Sequence, residues 1–214
     1  MVDRVQAQLE SIYGLDRRFD VGDFVVKDEG VARALGATGR AEEELLVLEE
    51  KGDLEVALYF SPALLERLRA VEFAPGAELV DGEMDAYCRL AEGVSHFLYL
   101  AWAAHHGRTV TLLELETQAE VDKFALCVLH KWNDGARTWA AELHRRLFER
   151  VSYLPGLKPE ERRRYEEANR LSAAYCQRLV RHVAERRMDR LLAELRYSYR
   201  LGAEAKLRYL ARAA

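Results

Sequence analysis

Two apolar stretches, residues 81–104 and 111–132, carry hydrophobic side chains around most of a helix turning about 100° per residue. A helix that is apolar on nearly all sides is normally buried, so both stretches predict central helices. A short turn falls at residues 105–107, and Thr111 with Glu114 forms the capping-box pattern that opens the second helix. The pattern therefore predicts an antiparallel helical hairpin at the centre of the fold.

Residues 45–60 show the clearest strand pattern. Leu54, Val56, Leu58 and Phe60 alternate with other residues after a glycine-containing turn at 51–53, which predicts a β-hairpin. Residues 19–26 have the composition of a third strand, and residues 28–38 form either a loop or a short helix. The first part of the chain is therefore expected to hold a small sheet of two or three strands.

Helical patterns return after the central hairpin, at residues 137–151, 159–184 and 191–202. The fold class predicted is α+β, mainly α: a small N-terminal α+β unit followed by a bundle of about five helices. A break at residues 74–76 suggests a boundary between an α+β unit, residues 1–76, and a helical bundle, residues 77–214. The two parts either stand apart or pack as one globular domain.

The 214 residues are 50% hydrophobic and 32% charged, which is enough for a real core. No apolar run is long enough for a membrane span, and the polar N-terminus does not resemble a signal peptide. Three widely separated cysteines, Cys88, Cys127 and Cys176, indicate reduced thiols and a cytoplasmic location. Cys88 and Cys127 could lie near each other across the helical hairpin.

Charge is divided along the chain. Residues 1–136 hold 13 basic and 26 acidic side chains (net −13), and residues 137–214 hold 19 basic and 10 acidic ones (net +9). Such a division indicates either a polyanionic partner for the basic part or packing of the two parts on each other. The second explanation is favoured because it needs no partner.

Polar residues interrupt both central helices. Arg89, Glu92 and His96 share a stripe on the first, and Gln118 and Asp122 lie among apolar residues on the second. Antiparallel pairing about residue 107 would bring all five into one polar cluster. Such a cluster is a structural network that fixes helix register, a functional pocket, or, on the first helix, an exposed stripe. A second stripe, Glu116, Glu120 and Lys123, is expected to be an ordinary solvated face.

This cluster supplies the candidate chemistry. Glu92 and His96 stand at i and i+4, so both could ligate a metal together with Asp122 or with the glutamates of the second helix. His96 could also act as a general acid or base beside Glu92 or Asp122. The sequence holds no specific catalytic or phosphate-binding motif, and it predicts no cofactor.

Arginine and tyrosine alternate near the C-terminus, where phosphate binding and base stacking are conceivable. The candidates for nucleic-acid binding are Arg196, Tyr197, Tyr199, Arg200 and Arg208. Since acidic residues are mixed among them, a solvated helix is the plainer interpretation. The leading hypothesis is a non-enzymatic interaction or regulatory module that binds a protein partner or a second copy of itself. The alternatives are a small metal protein or enzyme using Glu92, His96 and Asp122, and a nucleic-acid-binding protein.

Overall fold

The computed structural model describes residues 1–50, 53–70, 81–132 and 136–212. These residues form nine α-helices and three strands in an α+β fold that is mainly helical, as predicted. The helices are α1 (Val2–Tyr13), α2 (Glu29–Ala34), α3 (Pro62–Ala70), α4 (Asp81–His105), α5 (Leu112–His130), α6 (Ala136–Phe148), α7 (Pro159–Ala184), α8 (Met188–Arg200) and α9 (Ala203–Leu210). The strands are β1 (Val25–Val26), β2 (Glu43–Glu50) and β3 (Asp53–Phe60).

The predicted β-hairpin is present. β2 pairs antiparallel with β3, with Leu45 opposite Leu58, and β1 adds a short parallel pairing on the other side of β3. The predicted strand at residues 19–26 is correct only at its end, because residues 21–24 form a 3₁₀ turn instead. The Gln6 side chain holds this turn by accepting a hydrogen bond from the Val21 amide at 2.9 Å.

The sheet packs directly on α4. A Cβ on Gly93 would lie 2.8 Å from Glu43 Cγ and 2.9 Å from Leu58 Cδ1, closer than real Cβ contacts. The glycine is therefore explained by the approach of the helix to a sheet, since a larger residue would overpack this contact. The start of β2 therefore lies beside the middle of α4.

The predicted helical hairpin forms the centre of the bundle. The α4–α5 turn ends at Gly107, which has a φ of 63°, and the Thr111–Glu114 capping box is present. α5 packs against α4, α6 and α7 and is buried on nearly every side. One hydrophobic core includes residues from both predicted parts of the chain, such as Val5, Leu58 and Phe124.

The C-terminal residues form two helices, α8 and α9, where the sequence suggested one helix and a tail. α8 packs against α1 and α7, so the last part of the chain returns to the first. Within the described residues, no helix combines the length and the hydropathy that crossing a membrane requires. Residues 51–52 of the predicted hairpin turn and the predicted break at residues 74–76, with its domain boundary, lie outside the described residues.

Candidate functional site

The five residues predicted to form one polar cluster are divided among three groups. Gln118 and Asp122 lie in a buried network, Glu92 and His96 belong to a separate carboxylate cluster, and Arg89 pairs with Asp85 at 3.2 Å near the surface. The single-cluster prediction is corrected by the register of the helix pair. Ser95 rather than His96 faces Asp122, and one residue rotates a helix by about 100°.

The buried network centres on Asp122, which is 1% exposed. Its carboxylate accepts hydrogen bonds from Tyr13, from Ser95 Oγ at 2.5 Å and from Gln118 Nε2 at 2.7 Å. The Gln118 amide oxygen in turn accepts from the buried ammonium of Lys206 on α9. The network therefore ties α1, α4, α5 and α9 together.

Burial dominates the electrostatics of this network. It raises the pKa of Asp122 to about 6, although the hydrogen bonds from Ser95, Tyr13 and Gln118 oppose the shift. It also lowers the pKa of Lys206 to about 7, against the attraction of Asp122. The donors and acceptors of the network satisfy one another inside the core.

The second group is here called the carboxylate–histidine cluster: Glu43, Glu92, His96, Glu116, Glu120, Lys123 and Arg164. It joins the start of β2, the middle of α4, the first half of α5 and α7. The stripe of Glu116, Glu120 and Lys123 was expected to be solvated, and this prediction is wrong. Glu116 and Lys123 are each only 9% exposed, because α4, β2 and α7 cover this face of α5.

His96 stands between carboxylates in this cluster. Its Nδ1 lies 3.6 Å from Glu43 Oε1, and its Nε2 lies 3.7 Å from Glu116 Oε2. Nε2 is buried and has no hydrogen-bond partner. One ligand atom each of Glu92, His96 and Glu116 lies within 4.8 Å of the others, whereas Asp122 is not part of this set.

The charges of the cluster perturb one another strongly. Burial alone would lower the pKa of His96, but Glu43, Glu116 and Glu92 outweigh it and raise the pKa to about 9. Burial raises the pKa of Glu116 to about 7, against the opposing charges of His96 and Arg164. At neutral pH, His96 is therefore an imidazolium, and the Glu116 carboxyl is partly protonated.

Lys123 supplies a fixed cation. Its Nζ lies 3.2 Å from Glu92 Oε2 and 2.8 Å from Glu120 Oε1. Burial would lower the pKa of Lys123, but these two carboxylates raise it well above its ordinary value. Solvent reaches the cluster along Glu92 and Glu120, whose side chains are 24% and 23% exposed.

Sequence reasoning missed three residues that shape these groups. Glu43 comes from the first residue of β2, Arg164 from α7, and Lys206 from a short helix near the C-terminus. Each reaches its partner through long-range packing, which local periodicity does not report. Gly93 was the available signal for Glu43, because a glycine inside a long helix indicates close approach.

The candidates for nucleic-acid binding are used mainly inside the protein. Arg196 donates to the backbone oxygens of Ser11 and Ile12, and Arg200 donates to that of Tyr13, so both satisfy carbonyls at the end of α1. Tyr199 is 1% exposed and stacks on Tyr13, with ring centroids 4.0 Å apart. Tyr197 is 54% exposed, and Arg208 forms an ion pair with Glu204.

Arg196 and Arg200 therefore join the basic C-terminal part to α1 in the acidic first part of the chain. Arg164 also approaches Glu116, with 3.6 Å between Nε and Oε1.

Comparisons of the chain with models of protein families, with curated proteins and with solved structures found no match. The functional argument therefore rests on the geometry of the carboxylate–histidine cluster.

Proposed function

We propose that this chain is a metal-binding protein in which Glu92, His96 and Glu116 hold a divalent transition-metal ion. The observation that carries the proposal is the imidazole nitrogen Nε2 of His96, which is buried without a hydrogen-bond partner and faces the carboxylates. A buried polar atom without a partner costs free energy, and a metal ion that displaced the Nε2 proton would bind the nitrogen lone pair. Asp122, the third metal candidate from the sequence, is replaced by Glu116.

The distances fit a metal site after small side-chain rotations. Zinc binds imidazole and carboxylate at about 2.1 Å, so tetrahedral ligand atoms stand roughly 3.4 Å apart. His96 Nε2 and Glu116 Oε2 are already 3.7 Å apart, and the whole set spans at most 4.8 Å. Glu92 is the residue that has to move, and it is the most exposed of the three.

The surroundings of His96 also match a metal ligand. In metal sites the second imidazole nitrogen usually donates to a carboxylate, which fixes the tautomer and the ring orientation. Glu43 occupies this position, 3.6 Å from Nδ1. A ligand set of one imidazole and two carboxylates suits Zn²⁺, Fe²⁺ or Mn²⁺ better than the all-oxygen preference of Ca²⁺ or Mg²⁺.

Proton release accompanies binding in this proposal. A metal ion on His96 and Glu116 replaces the protons that the raised pKa values of about 9 and about 7 retain at neutral pH. Affinity should therefore increase as the pH rises from 6 to 9. Lys123 competes with the ion for Glu92, and this competition weakens binding.

The test is calorimetric titration of metal-free protein with Zn²⁺ and Mn²⁺ at pH 7.5, in two buffers of different ionisation enthalpy. Glu116→Gln and Glu92→Gln should each weaken binding by at least roughly 10–100-fold, because changing a residue that only supports a metal ligand already costs that much. Glu167→Gln is the control, since Glu167 is a partly exposed α7 glutamate that pairs with Arg170 outside the cluster. Equal affinities for the parent and Glu116→Gln, or no heat of binding for either metal, would refute the proposal.

We also propose a protein-interaction role for the outer edge of β2, which no strand covers within the described residues. The outer part of the hairpin exposes Val47, Leu48 and Leu54. An exposed apolar edge strand is a template for adding another strand. Two copies of β2 pairing antiparallel would set glutamates against glutamates, because both ends of the strand are acidic. The partner proposed is therefore an extended basic segment.

An alternating valine–lysine heptapeptide tests this role. Its binding should be measurable by fluorescence anisotropy, should weaken in high salt and should fall at least tenfold for Leu48→Lys, which removes an apolar contact and repels the lysines of the peptide. Leu112→Lys, a change of an exposed leucine on α5, is the control. Equal binding by Leu48→Lys and the parent would contradict the assignment to β2.

A further inference from the structure

Two cysteines face each other across the central helix pair. Ser95 contacts Asp122, and Glu92 contacts Lys123, which defines the antiparallel register of α4 against α5. One turn further along, toward the start of α4 and the end of α5, the same register places Cys88 opposite Cys127. The register therefore makes these thiols neighbours.

Side-chain contact agrees with the register. The thiols of Cys127 and Cys88 are hydrogen-bonded, and this bond, ahead of burial, raises the pKa of Cys127. Cys127 is 3% exposed, whereas Cys88 is partly exposed. Cys176, the third cysteine, is fully buried on α7. The pair thus combines one partly exposed cysteine with one buried cysteine.

We propose that Cys88 and Cys127 form a redox-active dithiol, which closes to an intramolecular disulfide on reaction with a small-molecule disulfide such as oxidised glutathione. The proposal is independent of the metal ion, because neither thiol belongs to the ligand set. It assigns distinct roles to the two sulfur atoms: Cys88 reacts first, and Cys127 resolves the adduct.

The chemistry follows thiol–disulfide exchange. The Cys88 thiol loses its proton to water, and its sulfur attacks oxidised glutathione. The glutathione S–S bond breaks, a mixed disulfide forms at Cys88, and one glutathione leaves and takes up a proton. The Cys127 sulfur then loses its proton and attacks the Cys88 sulfur, so the protein disulfide forms and the second glutathione leaves. Two protein thiols lose two electrons in total, and one oxidised glutathione becomes two reduced molecules.

Exposure sets this order of reaction. A reagent in solution reaches Cys88, whereas Cys127 is covered by the helix pair and reacts within the protein. The contact of the Cys127 thiol with Cys88 also disappears once Cys88 has reacted, which removes the largest cause of the raised pKa of Cys127. The resulting cross-link would join α4 to α5 beside the Glu92–Lys123 ion pair.

The experiment treats the folded full chain with oxidised glutathione, blocks remaining thiols with N-ethylmaleimide under denaturing conditions, and identifies tryptic peptides by mass spectrometry. The expected product links the peptide of residues 70–89 to that of residues 124–131. Dithiothreitol should reverse the link. The Cys176→Ser control should form the same link at the same rate.

Two variants test the roles of the cysteines. Cys127→Ala should stop at a stable glutathione adduct on Cys88, and Cys88→Ser should give no link and react with glutathione at least tenfold more slowly than the parent. Circular dichroism verifies that each variant is folded. Two results with the parent chain alone would overturn the proposal. One is accumulation of only the Cys88 adduct, and the other is a disulfide that involves Cys176. A folded parent that does not react at all with oxidised glutathione overturns it as well.

Discussion

Replacing His96 with glutamine should remove a specific part of the pH dependence of stability. The folded protein raises the pKa of this imidazole from 6.5 to about 9. A raised pKa means that the folded state holds a proton that the unfolded state has released. The resulting stabilisation is complete below pH 6.5, and it is lost as the pH rises through 9.

The magnitude follows from the shift. A difference of one pKa unit corresponds to about 1.4 kcal/mol, so the shift of His96 corresponds to a stabilisation of about 3 kcal/mol at most. The free energy of unfolding of the parent, relative to that of His96→Gln, should therefore fall by about 3 kcal/mol between pH 6 and 10. Lys206 acts in the opposite direction in part of this range, because its lowered pKa of about 7 makes stability rise with pH. The difference between the two proteins cancels this contribution of Lys206.

Urea unfolding followed by tryptophan fluorescence, with a chelator present, measures this difference at half-unit intervals of pH. His105→Gln is the control, since His105 lies in an exposed position at the end of α4. The control should keep the slope of the parent. If His96→Gln also keeps that slope, the carboxylates do not hold a proton on His96, and the electrostatic description of the cluster is wrong.

Three further changes test the packing around the sites. Gly93→Ala should lower the free energy of unfolding by about 1–2 kcal/mol, because the new Cβ would lie 2.9 Å from Leu58 Cδ1. This cost outweighs the higher helix propensity of alanine. Urea titration measures the change, and an increase in stability would contradict the close approach of α4 to the sheet. Asp122→Ala should lower the free energy of unfolding by about 3–5 kcal/mol, since it leaves buried hydrogen-bond donors without their acceptor. Thermal unfolding measures the loss. A loss below about 1 kcal/mol would show that the network contributes little to stability. Arg196→Gln should lower the free energy of unfolding by about 1–2 kcal/mol and speed amide hydrogen exchange in α1, because it removes hydrogen bonds to the end of that helix. The control Arg190→Gln, at an exposed position on the same helix, should do neither. Equal exchange rates in both variants would show that Arg196 does not stabilise the end of α1.

Local patterns predicted most of the secondary structure because each element has its own periodicity and end signals. The Thr111–Glu114 capping box and the alternation in β3 can each be recognised within one element. The strand at residues 19–26 was overextended because the Val21 amide donates a hydrogen bond to the Gln6 side chain on α1, a contact that composition does not encode.

The site was harder to predict because neighbouring positions on a helix point in directions about 100° apart, so an error of one residue in register changes the contacts. Ser95 and His96 are adjacent, yet Ser95 faces Asp122 and His96 faces Glu116. Likewise, the spacing of Glu120 and Lys123 is the same for an exposed ion pair as for a covered one. Only the positions of β2 and α7, distant in sequence, decide that this face of α5 is buried.

The return of α8 to α1 has a consequence for synthesis on the ribosome. Arg196 binds the backbone of Ile12 across 184 residues of chain, and Lys206 reaches Gln118 from α9. While the chain is being made, the carbonyls at the end of α1 and the buried amide oxygen of Gln118 have no partner until α8 and α9 follow, 184 and 88 residues later. Chains released before α8 and α9 are made should therefore expose these groups and become substrates for chaperones or proteases, so this topology couples stability to the synthesis of α8 and α9.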